Sequence, residues 1–248
     1  MTPATLLVFA LGLALGALLN IVVIRLPREG TMGGWPRCVR CGRPLAWWQL
    51  LPLVGWLAQG GRARCCGRAL PWIFPLIELV TGASLALLYA RYGLTAPFFY
   101  LAFVAAVLIV TGAIDWLHRF IYTFVILGGA LIALVVSPFI TRHSLPNALV
   151  GALVAGFIFA IFFALARAMY PAKSAPFGLG DVYLAIFIGA AVGITNLMPA
   201  IFYGMLLAGI FSAALILLRR VGRATPEYIS YGTFLCVGAL GYLLVRGL

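Results

Sequence analysis

Charged side chains are scarce in this chain. Only 9% of its 248 residues are Asp, Glu, Lys or Arg, whereas 65% are hydrophobic. A water-soluble domain needs more polar surface than this to stay in solution. The composition therefore excludes an ordinary soluble protein and favours one that crosses a lipid bilayer.

Long polar interruptions are also few, so apolar runs long enough to cross a bilayer recur along the chain. A hydrocarbon core of about 30 Å requires about 20 apolar residues in a helix, whereas barrel strands are shorter and alternate in polarity. We therefore predict an all-α polytopic membrane protein with about eight transmembrane helices. The predicted spans are residues 5–24, 73–90, 97–114, 120–138, 146–166, 180–196, 199–218 and 229–245.

The first run lacks the basic start and small-residue cleavage site of a signal peptide, so we expect it to be retained. The long hydrophilic segment that follows carries four of the five cysteines. The sequence thus predicts three parts: a first transmembrane helix (1–24), a cysteine loop (25–72) and a seven-helix membrane domain (73–248).

The net charge of +12 invites a nucleic-acid interpretation. However, most of the 17 Lys and Arg residues fall in one set of alternate loops, including the cysteine loop. Such an asymmetry is typical of membrane topology, in which basic loops stay in the cytoplasm. We therefore expect the cysteine loop to be cytoplasmic, the bilayer to be the main partner, and no nucleic acid to bind.

The chain has only five acidic residues, and each one requires an explanation near hydrocarbon. Glu29 and Glu227 fall in or beside predicted loops, where a solvated or paired carboxylate is ordinary. Glu78 falls inside the second predicted span and should face the bundle interior, where it needs a hydrogen-bond donor. A structural and a functional role both remain open for Glu78.

Asp115 and Asp181 are predicted to lie at the same, cytoplasmic, membrane face, because one ends an inward span and the other begins an outward span. Two close aspartates share one proton, which supplies the base and the acid that an aspartic protease needs. As an alternative, Asp181 could be a helix N-cap. Asp115 has no such explanation, because a negative charge at a helix C-terminus opposes the helix dipole.

Gly178 and Gly180 come just before Asp181. Glycines at this point allow another backbone to approach closely, as an extended substrate would have to. We therefore predict that Gly178 and Gly180 form a substrate loop beside a catalytic pair. The competing interpretation is a proton-coupled transporter that uses Asp115 and Asp181 as a proton relay.

Five segments occur in an order that resembles the type IV prepilin peptidases. The first ends in Asn20, Arg25 and Leu26-Pro27, and the second is the cysteine segment from Cys38 to Gly42. The third surrounds Glu78, and the last two are Ile114-Asp115 and Gly178-Leu179-Gly180-Asp181. The chain departs from the family pattern at Ala63, where a cysteine is expected, and at Tyr122-Thr123 and Tyr183, which replace a Pro-Asp pair and a lysine.

The resemblance implies an endopeptidase of the bacterial inner membrane that removes the leader of prepilins or pseudopilins, after a glycine, on the cytoplasmic side. It implies Asp115 and Asp181 as the catalytic residues and supporting roles for Asn20, Arg25 and Glu78. It also implies a second activity, N-methylation of the new N-terminus from S-adenosylmethionine. The substrates would serve a type IV pilus or a type II secretion system.

The cysteine loop is a candidate structural zinc site. Cys38 and Cys41 have the two-residue spacing of a zinc knuckle, and a cytoplasmic loop favours zinc over a disulfide. Cys65 and Cys66 are adjacent, and neighbouring side chains fit one tetrahedral ion poorly. We predict Cys38, Cys41, Cys66 and Cys65 as the ligands, with Cys65 replacing the ligand missing at Ala63; a metal-free loop is the alternative.

Overall fold

A computed structural model describes residues 2–28, 33–140, 144–169, 178–222 and 229–247. Glu29, His143 and Glu227 lie outside these ranges. Every regular element within them is helical, which confirms the predicted all-α fold. The helices are α1 (Pro3–Arg25), α2 (Val54–Leu57), α3 (Ile73–Tyr92), α4 (Ala96–His118), α5 (Thr123–Ile140), α6 (Leu145–Met169), α7 (Leu179–Arg220) and α8 (Tyr231–Arg246).

The described helices α1, α3, α4, α5, α6 and α7 are long and apolar enough to cross a membrane. The chain is therefore a multi-pass membrane protein. Helix α8 is also apolar but has only 16 residues. The expected total of eight spans remains a prediction, since it requires α7 to count as two spans and α8 as the last.

The chain forms two compact units, Met1–Ala113 and Ile114–Leu248, and their boundary falls within α4. In the first unit, α1 packs against α3. The two backbones approach so closely that there is no room for a side chain at two glycines of α1. A Cβ on Gly16 would lie 2.6 Å from the Cα of Glu78, and one on Gly12 would lie 2.7 Å from the Cα of Gly82. Gly12 and Gly16 therefore serve helix packing, as small residues in membrane helices commonly do.

Helix α1 is apolar on all sides, yet only one stripe of it is buried. The buried residues recur every three or four positions, which places them on one helical face; they are Thr5, Val8, Gly12, Gly16, Asn20 and Val23. Leu6, Leu7 and Leu11 on other faces are more than half exposed. Such a helix suits a hydrocarbon environment, because exposed leucines cost nothing there.

In the second unit, α7 runs for 42 residues, about 63 Å at 1.5 Å per residue and twice the thickness of a hydrocarbon core. It is interrupted at Gly193, whose φ of 70° and ψ of 169° are not helical. The side-chain oxygen of Asn147 on α6 accepts a hydrogen bond from the Ile194 N–H, at 2.7 Å, beside the break. A backbone group released at an interruption is thus satisfied within the protein, as a membrane interior requires.

The interruption falls earlier than the boundary that the sequence predicts between residues 196 and 199. A positive φ is open to glycine, and a Cβ on Gly193 would lie 2.6 Å from the Asn147 side-chain oxygen. The break therefore occurs at glycine, whereas Pro199 stays inside the helix.

Candidate active site

Asp115 lies in the last turn of α4 and is only 6% exposed. Its carboxylate is held by the first turn of α8. The backbone N–H of Thr233 donates to Asp115 Oδ2 at 2.6 Å, and the Thr233 hydroxyl donates to the same oxygen at 2.9 Å. A buried carboxylate at the C-terminal end of one helix is thereby stabilised by the N-terminal end of another.

Asp181 lies in the first turn of α7 and is 8% exposed. The sequence offered Asp181 as an N-cap, but the cap position is occupied by Gly178. Asp181 is the third residue of the helix, and its Oδ2 accepts a hydrogen bond from the Gly178 N–H at 3.2 Å. In a capping box, the side chain of the third helical residue accepts a hydrogen bond from the N-cap N–H. This contact fixes the side chain of Asp181 against Gly178.

The two carboxylates meet beside Gly232 on α8. A Cβ built on Gly232 would lie 3.1 Å from Asp115 Oδ2 and 3.1 Å from Asp181 Oδ1, so these oxygens are at most twice that distance apart. The same point lies 2.8 Å from the Cδ1 of Ile121. Gly232 is buried, and its lack of a side chain keeps the space between the two aspartates open.

A cavity of about 580 Å³ contains both aspartates. Gly178, Leu179 and Gly180 line it, so the predicted substrate loop and the predicted pair share one space. Two of the positions at which the chain departs from the family pattern also line it, namely Thr123 and Tyr183, and so does Arg119. The exposed side chain of His118 is not part of the described lining.

Sequence reasoning did not find Gly232 and Thr233. Both lie in α8, and Thr233 is 118 residues after Asp115 in the chain. Glycine and threonine are ordinary in membrane helices, so neither residue type marks a site by itself. The one indication is that Thr233 falls in the first turn of α8, where backbone N–H groups seek an acceptor. The N-cap residue Ser230 does not supply this acceptor through its side chain.

Glu78 is 9% exposed and lies in the first unit, where both of its oxygens have donors. Asn20 Nδ2 donates to Glu78 Oε1 at 3.0 Å, and the Leu53 N–H donates to Glu78 Oε2 at 2.7 Å. The carboxylate therefore ties the cysteine loop to α1 and α3. The Asn20 side-chain oxygen is buried and has no hydrogen-bond partner among the described residues.

Arg25 ends α1, and its guanidinium donates to the carbonyl oxygens of Gly33 and Gly34 at 2.8 and 2.6 Å. Arg25, Asn20 and Glu78 all line a second cavity, of about 390 Å³, within the first unit. Trp56 and Arg37 also contribute to its wall. None of the three predicted supporting residues lines the cavity of the aspartates within the described part of the chain.

The four loop cysteines converge. The sulfur atoms of Cys38, Cys41, Cys65 and Cys66 all lie within 4.8 Å of one another. A tetrahedral zinc site with Zn–S bonds of about 2.3 Å places its sulfur atoms about 3.8 Å apart. The cluster therefore fits a zinc ion after small side-chain adjustments, and the adjacency of Cys65 and Cys66 does not keep either sulfur away as the sequence had suggested.

Two similar turns bring the sulfur atoms together. In the first, the Gly42 N–H donates to the Cys38 carbonyl at 2.9 Å, and in the second the Gly67 N–H donates to the Ala63 carbonyl at 2.7 Å. Ala63 thus occupies the place of Cys38 and is similarly buried, at 2% against 3% exposed. The second turn lacks a thiol at this position, and Cys65 supplies the fourth sulfur.

Hydrogen bonds within the cluster favour the thiolate form of Cys41. The Arg43 N–H donates to it, and this bond, together with the contact from the Cys65 thiol, lowers the pKa of Cys41 to about 7. The sulfur atoms of Cys41 and Cys65 lie 3.2 Å apart, and this contact raises the pKa of Cys65 to about 12. Since a metal binds the thiolate, the lowered pKa of Cys41 favours metal binding at this residue.

The fold and the site define a class, the polytopic helical membrane proteins with a pair of buried aspartates. The chain belongs to the type IV leader peptidase family, whose model matches residues 102–213 and so includes both aspartates. A second model, the bacterial peptidase A24 N-terminal domain, matches residues 10–92 and includes the cysteine cluster.

Several curated relatives carry the name prepilin leader peptidase/N-methyltransferase. The chain is 31% identical to the Dickeya chrysanthemi protein over 94% of its own length and 90% of the relative's. It is 28% identical to the Bacillus subtilis protein, covering 89% and 86% of the two chains. It is 28% identical to the Myxococcus xanthus protein over 88% of its own length, and it spans 64% of that relative. No solved structure matches the chain.

Proposed function

We propose that this protein is a membrane aspartic endopeptidase that cleaves the leader peptide of prepilins or pseudopilins. The proposal is carried by one observation: Asp115 and Asp181, both buried, bring one oxygen each to within 3.1 Å of the same point beside Gly232. The names of the curated relatives supply the substrate class.

The pair would hold one proton, because two carboxylates this close do not both ionise cheaply. The ionised carboxylate takes a proton from water as the water oxygen attacks the carbonyl carbon of the scissile bond. The protonated carboxylate gives its proton to the leaving nitrogen as the C–N bond breaks. Gly178 carries no side chain beside Asp181, so an extended substrate backbone can approach that carboxylate, whereas the missing side chain of Gly180 makes room for Ile121.

The orientation in the membrane is part of the proposal. Most of the basic residues fall in loops that the positive-inside rule assigns to the cytoplasm. The aspartates would then act at the cytoplasmic face of the bacterial inner membrane. Exposed leucines such as Leu6 and Leu11 would contact lipid.

Cleavage of a full-length prepilin in detergent tests the peptidase function. Wild type should release the leader, and Asp115→Asn and Asp181→Asn should each lose about 10² or more in rate, the scale of an acid–base group. A prepilin whose leader-terminal glycine is changed to valine is the substrate control. Full activity in both variants would overturn the proposal and favour the proton-relay transporter, which proton uptake into proteoliposomes would detect.

We also propose that S-adenosylmethionine binds in the cavity of the first unit and supplies the methyl group for N-methylation. The buried, unpartnered side-chain oxygen of Asn20 and the carboxylate of Glu78 suit its amino groups, and Arg25 and Arg37 suit its carboxylate. Calorimetric titration with S-adenosylmethionine should detect binding to wild type and at least about tenfold weaker binding to Asn20→Ala. Retained leader cleavage shows that the variant is folded; equal binding would exclude this cavity.

A zinc ion on Cys38, Cys41, Cys65 and Cys66 would be structural. The cluster contains thiols alone, the donor set of closed structural sites, whereas catalytic zinc keeps an open position among mixed ligands. Such an ion would fix the two turns of the loop against each other.

A further inference from the structure

The first turn of α8 contributes to the aspartate pair in a way that the sequence motifs do not reveal. Thr233 is the third residue of α8, and the first N–H groups of a helix need acceptors from outside its regular bonding pattern. The N-cap residue Ser230 makes no side-chain cap bond. Asp115 instead accepts this N–H, so a carboxylate from a distant part of the chain caps the helix.

Both hydrogen bonds from Thr233 reach one oxygen. The N–H and the hydroxyl donate to Asp115 Oδ2, at 2.6 and 2.9 Å. The same Oδ2 lies beside Gly232, 3.1 Å from the Cβ position of that glycine, and Asp181 Oδ1 lies 3.1 Å from the same position. Two donors on one atom restrict rotation about the last side-chain bond of Asp115, and so they fix the separation of the two reacting carboxylates.

We propose that Thr233 is a positioning residue of the peptidase, acting through its hydroxyl to hold Asp115 in the geometry that water activation requires. The inference rests on the proposed peptidase function. Catalytic carboxylates must be held within a fraction of an ångström, because a misplacement of about 1 Å can cost 10² in rate. With the backbone N–H as its one donor from Thr233, the carboxylate could pivot about a single hydrogen bond. The hydroxyl adds a second hydrogen bond, which restricts this motion.

The chain offers variants that separate the hydroxyl from the rest of Thr233. Thr233→Val keeps the shape and the backbone N–H but removes the hydroxyl donor. Thr233→Ser restores the hydroxyl and removes only a methyl group. Thr81→Val is the matched control, because the Thr81 hydroxyl is buried and donates to the Ile77 carbonyl inside α3, in the other unit.

Steady-state cleavage of a full-length prepilin should show kcat for Thr233→Val about tenfold lower than wild type, with KM within about twofold, because a hydrogen bond to the reacting group is lost and substrate contacts are not. Thr233→Ser should recover kcat to within about threefold, and Thr81→Val should match wild type. A merely structural role would lower the melting temperature of Thr233→Val without this selective fall in kcat.

Two results would overturn the inference: a kcat for Thr233→Val equal to wild type, or an equal fall in kcat for Thr233→Ser. Asp115→Asn, measured beside them, keeps the two proposals apart. If Asp115→Asn is inactive while Thr233→Val is fully active, the peptidase proposal stands and the role of Thr233 falls. If Asp115→Asn cleaves like wild type, the peptidase proposal fails, and Thr233 with it.

Discussion

The two units of the chain each bury carboxylates, but they treat them differently. In the first unit, both oxygens of Glu78 accept hydrogen bonds, one from Asn20 and one from the Leu53 backbone. In the second, both bonds to Asp115 reach a single oxygen, and the bond to Asp181 reaches the oxygen away from the shared point at Gly232. Each oxygen of Glu78 thus has a donor from the protein, whereas the hydrogen bonds described for each aspartate reach only one of its two oxygens.

We interpret this contrast as the difference between a structural carboxylate and the catalytic carboxylates of our proposal. A carboxylate whose oxygens are both bonded to the protein is held in place and has little freedom to exchange a proton. A pair whose oxygens meet in an open cavity can take a proton from water and pass one on. The same residue chemistry therefore tethers a loop in one unit and, in our proposal, cleaves a peptide bond in the other.

The largest effect should come from closing the space between the aspartates. Gly232→Ala places a methyl group 3.1 Å from both carboxylate oxygens and 2.8 Å from Ile121, so we expect cleavage to fall about 10²-fold or more. Gly241→Ala, in the same helix, is the control, because no atom lies within 4 Å of its added Cβ. Comparable cleavage rates in the two variants would show that the space beside Gly232 is not needed.

An intermediate effect, on stability, should come from Glu78→Gln. The amide retains one acceptor, so either Asn20 or the Leu53 N–H loses its partner, at a cost of about 1–3 kcal/mol. Thermal unfolding in detergent should shift by about 2 to 4 °C for each kcal/mol, while leader cleavage stays within about threefold of wild type. Abolished cleavage at an unchanged melting temperature would instead place Glu78 in the chemistry and erase the contrast between the units.

The sequence predicted the helical fold well because apolar length determines which segments can cross a bilayer. The predicted spans 5–24 and 73–90 agree with α1 and α3 to within two residues at each end. Asp115 and Asp181 could be singled out because carboxylates are rare in such a chain and costly near hydrocarbon. The sequence placed both aspartates at the same depth in the membrane, which only suggested that they meet. The packing of the helices brings them into one cavity.

Other features depended on tertiary contacts that no local pattern records. The sequence suggested Asp181 as a cap, but the glycine before it allows the helix to begin earlier, so that Asp181 reaches back to Gly178. Gly232 and Thr233 acquire their places only when α8 packs beside Asp115. Similarly, adjacent cysteines argue against one metal in a regular chain segment, whereas a tight turn at Gly67 brings both sulfur atoms to the cluster.

The smallest effect on cleavage should come from the metal cluster, since its ligands belong to the unit that we regard as supporting. Purified protein should contain about one zinc ion per chain by mass spectrometry, because the four thiols form a complete ligand set. Cys65→Ala should lose most of the zinc, as Ala63 leaves the second turn with only Cys66, yet cleavage should stay within about twofold of wild type. Cys236→Ala is the control; it removes a buried cysteine of α8 that is outside the cluster, and the protein should keep its full zinc content.

Unchanged zinc in Cys65→Ala would mean that Cys65 is not a ligand. A loss of cleavage as large as that of Asp115→Asn would mean that the cysteine loop takes part in the reaction.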